Sequence, residues 1–88
     1  MLSKPFLKIG VIGLGFIGEI YVKLLHENPY VENIFIISSN EKKRNLFKYK
    51  YHVDIFDNLE DMIKYGKPHA ICICTPNYNH SELAQTIL

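Results

Sequence analysis

The sequence predicts an α/β fold, a doubly wound parallel sheet, on three observations. Strand-length apolar runs alternate with helix-length segments four times along the chain. Two of the runs, residues 6–12 and 70–74, are apolar at nearly every position, as strands covered on both faces must be. Gly13, Gly15 and Gly18 sit where the first run gives way to the first helical segment.

Each element follows from local pattern. The first strand, residues 6–12, is interrupted only by Lys8. Residues 16–27 place Ile17, Ile20, Val22, Leu24 and Leu25 at helical spacing, and Asn28-Pro29 ends that helix. Residues 31–38 contain Ile34-Phe35-Ile36-Ile37, a β-branched and aromatic run of strand length. Ser39-Asn40 offers a cap to a charged helix over 41–48. Residues 51–56 alternate with polar positions and read as a third strand at a sheet edge, guarded by Lys48 and Lys50. Asp57 or Asn58 caps a short helix over 59–65, which Gly66-Lys67-Pro68 terminates. The fourth strand spans 70–74, Thr75-Pro76-Asn77 forms a loop, and a last helix runs from about Asn79 to Leu88. Right-handed crossovers then dictate the spatial order 3-2-1-4. The loops after Gly13 and after Cys74 thereby meet at the switch point between strands 1 and 4.

Eighty-eight residues make one domain, with a core of marginal size. A net charge of +1 gives no electrostatic case for nucleic acid or an anionic membrane, and lysines guarding an edge account for the tyrosines that interleave with them. No apolar run approaches the roughly 20 residues of a membrane span, and residues 1–5 lack the apolar stretch of a secretory signal, so the cytoplasm is the expected compartment. Cys72 and Cys74, two residues apart on a strand, face the same way without the geometry to bond each other. Their C-x-C spacing near His69 and His80 lacks a second cysteine pair, and small buried apolar side chains are the better reading than a metal site. Ser38 and Ser39 have no base nearby in sequence to make either a nucleophile.

The glycine turn carries the chemistry. A strand that reverses into a helix while leaving room for a pyrophosphate can carry almost no side chain at its first two motif positions. Gly13 permits the tight turn, and Gly15 lets backbone approach phosphate. Gly18 lies one turn into the helix, where a missing side chain lets helix and strand pack closely, and the phosphate meets free N–H groups at the helix start. The spacing alone is a weak signal; its place between strand and helix makes it a dinucleotide site of Rossmann type.

With K-I-G-V-I-G-L-G-F-I-G at its start and C-I-C-T-P-N-Y-N-H-S-E-L-A at its end, the chain resembles the amino-terminal part of a Gfo/Idh/MocA-type oxidoreductase. The second motif is the more specific, and the resemblance extends over about the whole chain. It implies an NAD(P)-binding domain, here residues 1–88 and incomplete, followed in the family by a substrate domain absent from this chain. Hydride would pass between a nicotinamide and a sugar, polyol or related carbon. By the resemblance, Gly13, Gly15, Phe16 and Ile17 contact the pyrophosphate through backbone, while Thr75, Pro76, Asn77 and His80 line the adenine-to-nicotinamide ribose stretch; Cys74, at the end of the fourth strand, is a further candidate for cofactor binding. None of these is catalytic. The family's catalytic lysine, in Glu-Lys-Pro, is expected beyond Leu88, so the chain alone is expected to be inactive. An apolar fourth strand left as a sheet edge supports the same expectation, because such edges invite pairing. Homo-oligomerisation is compatible with this reading. The alternative from another class is a redox sensor or scaffold that binds the nucleotide without turnover. A methyltransferase, the rival α/β binder with a glycine-rich first loop, is disfavoured by the third glycine and the Thr-Pro-Asn loop.

Cofactor choice turns on the end of the second strand. NAD-preferring folds place Asp or Glu there to hold the ribose diol. This chain has Ser38-Ser39-Asn40, followed by Lys42, Lys43 and Arg44, which tilts the expectation from NAD toward NADP through Ser38, Ser39 and Lys43. Against that stands the simpler view of residues 41–44 as the solvated first turn of a helix.

Overall fold

A computed structural model describes residues 6–74. The elements are β1 (Leu7–Ile12), α1 (Phe16–Glu27), β2 (Val31–Ile37), α2 (Glu41–Tyr51), β3 (Asp54–Ile55), the helical turn α3 (Leu59–Asp61), a π-helical turn over Met62–Gly66, and β4 (Ala70–Ile73). The four strands form one sheet in the order β3-β2-β1-β4, and every pair is parallel. This is the order that right-handed crossovers require.

Strand alternation sends successive side chains to opposite faces, and the two faces are covered differently. Val11, Ile34 and Ile36 join Leu14, Val22, Phe47 and Val53 in the core cluster that α1 and α2 close. On the other face Met62 is fully buried and a β-carbon at Gly10 would come within 2.6 Å of its sulfur, while Gly66 lies against the Phe35 ring. The backbone of β1 thus supports a helix layer on each side. His69 extends the β1–β4 ladder: its N–H donates to the Lys8 carbonyl at 2.7 Å, and its Nδ1 accepts from the Lys8 N–H at 3.0 Å.

Caps fall where the sequence offers them. Asn40 Oδ1 accepts from the Lys43 N–H at 3.0 Å, and Asn58 Oδ1 accepts from the Asp61 N–H at 2.7 Å.

Two expectations are corrected. Residues 51 and 52 do not begin the third strand: α2 runs on to Tyr51, His52 closes it in the left-handed conformation at φ 56°, and β3 has only two residues. Lys48 and Lys50 consequently lie on α2 rather than beside an edge strand in sequence. Packing overrides the strand preference of Tyr51, whose ring meets Phe47 and His26 edge-on, each with centroids 5.2 Å apart. The second correction concerns β4, expected to be covered on both faces. Ala70 is exposed and Ile71, Cys72 and Ile73 are half-buried, and among the described residues β4 pairs only with β1, at the edge of the sheet.

Candidate functional site

A cavity of about 390 Å³ opens at the carboxyl ends of β1 and β2, within the roughly 300 to 1,000 Å³ usual for ligand sites. Its walls are Ile12 to Gly15 on one side, Ile37 to Asn40 on the other, with Lys43 and Cys74 completing it. Parallel sheets bind ligands at this end because the loops that lead from each strand into its helix emerge there.

Three glycines shape the first wall. Gly13 has φ 90°, a conformation L side chains rarely adopt, and its N–H donates to the Ile37 carbonyl at 2.8 Å, tying the turn to the end of β2. A β-carbon on Gly18 would overlap the Gly13 carbonyl oxygen, so the start of α1 rests directly on the turn. Gly15, the N-cap of α1, is different: at φ −74° it suits any residue, and among the described residues nothing beyond its chain neighbours lies within 4 Å of the place its β-carbon would take. That empty space stands at a helix N-terminus, where free N–H groups and the helix dipole favour an anion. The arrangement fits a pyrophosphate.

The second wall is held by its own hydrogen bonds. Ser38 Oγ accepts from the Asn40 N–H at 3.1 Å, and Asn40 in turn caps α2, so the loop projects Lys43 into the cavity wall. The Lys43 ammonium donates to the Leu14 carbonyl at 2.7 Å and pairs with Glu19 at 3.1 Å. Cys74 continues the ladder, its N–H donating to the Ile12 carbonyl at 2.9 Å. Burial, and secondarily the neighbouring Cys72, pushes the Cys74 thiol above its ordinary pKa, which suits a packing group and disfavours a nucleophile. Both cysteines are free and pack against the core cluster.

The residues singled out from sequence therefore divide. Gly13, Gly15, Ser38, Ser39, Lys43 and Cys74 share the cavity. Phe16 and Ile17 occupy the first two positions of α1, directly after Gly15, with exposed side chains. Thr75, Pro76, Asn77 and His80 lie outside the described residues. Sequence reasoning missed Glu19 and the Leu14 carbonyl. The available signal was topological: α1 and α2 start at the same end of the sheet, so acidic Glu19 and basic Lys43, each near its helix start, are brought together.

A model of the oxidoreductase family with NAD-binding Rossmann fold, GFO_IDH_MocA, matches residues 7–88. No curated protein matches the sequence. Among solved structures, scyllo-inositol dehydrogenase from Lactobacillus casei, with bound NAD(H) and scyllo-inositol, is similar with a TM-score of 0.81 at 22% identity, over 92% of this chain and 24% of that one. GenD2 from gentamicin A biosynthesis, in complex with NAD, gives 0.80 at 18% identity over 93% and 24%. A putative NADPH-dependent oxidoreductase from Desulfitobacterium hafniense gives 0.77 at 20% identity over 98% and 24%. At these identities the likeness is one of fold. The chain spans about a quarter of the length of these structures.

Proposed function

This chain belongs to the Gfo/Idh/MocA family of oxidoreductases by its NAD-binding Rossmann fold, and on that premise we propose that residues 1–88 form most of the cofactor-binding domain of a cytoplasmic enzyme acting on a sugar, polyol or related small molecule. The observation that carries this reading is the empty space over Gly15, at the start of α1 and beside the cavity between β1 and β2. A nicotinamide dinucleotide supplies hydride-transfer chemistry when bound. The chain's own residues bind and orient it: the turn from Gly13 to Gly15 takes the pyrophosphate, and Ser38, Ser39 and Lys43 face the adenosine ribose, with a tilt toward NADP because no carboxylate stands among them. Among the described cavity-lining residues, Lys43 carries the one amine, already engaged by Leu14 and Glu19, and Cys74 a thiol of raised pKa. We therefore assign proton transfer and substrate binding to residues outside this cavity. The purified chain is expected to bind NAD(H) or NADP(H) by calorimetry and to show no turnover of polyols or sugars. Absence of binding refutes the cofactor role, and turnover above background refutes the assignment of catalysis elsewhere.

Ser38 offers a test of the ribose assignment. Ser38→Asp supplies the carboxylate that accepts from the ribose diol and repels a 2′-phosphate, and it keeps an acceptor for the Asn40 N–H. The ratio of the two dissociation constants is expected to move toward NAD by on the order of 1.5 to 3 kcal/mol. An unchanged ratio would place the ribose away from this loop.

A further inference from the structure

We propose that Glu19 sets the balance between NAD and NADP by occupying the Lys43 ammonium, an inference that rests on the dinucleotide site described above. Lysine presents three N–H donors. In Lys43 one goes to the Leu14 carbonyl at 2.7 Å and another to Glu19 at 3.1 Å. The first contact ties the amine to the glycine turn, and the second cancels much of its charge beside the cavity wall that Ser38 and Ser39 also form. Lys43 is thus placed to meet a group at the ribose, and Glu19 competes for it.

The competition distinguishes the two cofactors. A ribose 2′-hydroxyl is neutral and makes little demand on the ammonium. A 2′-phosphate carries nearly two negative charges near neutral pH, so it is attracted by Lys43 and repelled by Glu19 at the same time. The Lys43 and Glu19 side chains are 35% and 42% exposed, so their pair is screened and weak enough to exchange partners. Removing the carboxylate leaves the amine fixed on Leu14 and frees its charge for the phosphate. Glu19 also lies in the first turn of α1, where its loss makes the helix start more attractive to any anion, including the pyrophosphate common to both cofactors. The ratio of affinities, rather than either affinity, isolates the effect on the 2′ position.

The test is calorimetric titration of the purified chain with NAD and with NADP, for wild type, Glu19→Gln, Lys43→Met and the double variant, with thermal melts of each. Glu19→Gln is expected to shift the ratio toward NADP roughly five- to tenfold, and the gain should shrink at about 1 M salt, where the screening length falls to about 3 Å. Lys43→Met is expected to shift the ratio toward NAD, and the double variant to gain less over Lys43→Met than Glu19→Gln gains over wild type, because only the direct repulsion by Glu19 is then relieved. An unchanged ratio in Glu19→Gln overturns the proposal, as does a gain of the same size when Lys43 is absent. If the melt shows Glu19→Gln to be unfolded, Glu19→Ala is held to the same criteria. Failure of the wild-type chain to bind either cofactor would instead refute the underlying site, a result visible before any variant is measured.

Discussion

Gly18→Ala is expected to destabilise the protein by about 3 kcal/mol, although alanine is the better helix former. The two effects oppose each other, and their sizes decide the sign. Replacing a mid-helix glycine by alanine ordinarily stabilises by up to about 1 kcal/mol. Here the new methyl group would overlap the Gly13 carbonyl oxygen and stand 3.1 Å from its carbonyl carbon. Both atoms are backbone, held by the Gly13 bond to Ile37 at 2.8 Å, so they cannot swing aside as a side chain would. The helix must back away from the turn, opening the contact of Val22 with the core. For a domain of this size the loss corresponds to a fall in Tm of on the order of 12 to 24 °C. A thermal melt in which Gly18→Ala is as stable as wild type, or more so, would show that α1 does not rest on the turn.

That contact is one of the features legible in the sequence, because a third glycine one helical turn after the second has no other local reason. Strand order was equally legible, since alternation and handedness leave few arrangements, and α1 has the bounds that its apolar spacing and Asn28-Pro29 indicate. The boundary of α2 was not. No glycine follows Tyr51, and the left-handed closure falls on His52, while the ring contacts that hold Tyr51 on the helix come from residues distant or hidden in the pattern. The π-helical turn was likewise invisible, because it answers to the shape of the opposite sheet face, where Met62 fills the space that Gly10 leaves.

At the site, the division has the same cause. The glycines announce themselves because backbone geometry needs them in fixed order along the chain. The Glu19–Lys43–Leu14 arrangement joins two helices and a turn, and only three-dimensional proximity reveals that the lysine expected at a phosphate is already bound to a carboxylate and a carbonyl. The sequence shows Lys43 just beyond the end of the second strand but not the partners that its ammonium holds.

Gly15→Val should separate binding from folding. The position has φ −74° and ψ −169°, an extended conformation open to valine, and no described residue other than its chain neighbours comes within 4 Å of its projected β-carbon. Exchanging the cap glycine is therefore expected to cost less than about 1 kcal/mol of stability. The added side chain enters the space in which a pyrophosphate would meet the start of α1, and it holds the phosphate away from the N–H groups there. Binding of NAD and NADP should weaken alike, by at least roughly 1 to 3 kcal/mol, which is on the order of 5- to 150-fold in each dissociation constant. The equal loss is informative, because the pyrophosphate is common to both cofactors whereas the effects expected at Ser38 and Glu19 discriminate between them. Gly15→Ala, with a single methyl in the same place, should fall between wild type and valine. If calorimetry gives the same dissociation constants for wild type and Gly15→Val while the melt stays unchanged, the dinucleotide does not approach this turn, and the glycine serves the bend in the chain alone.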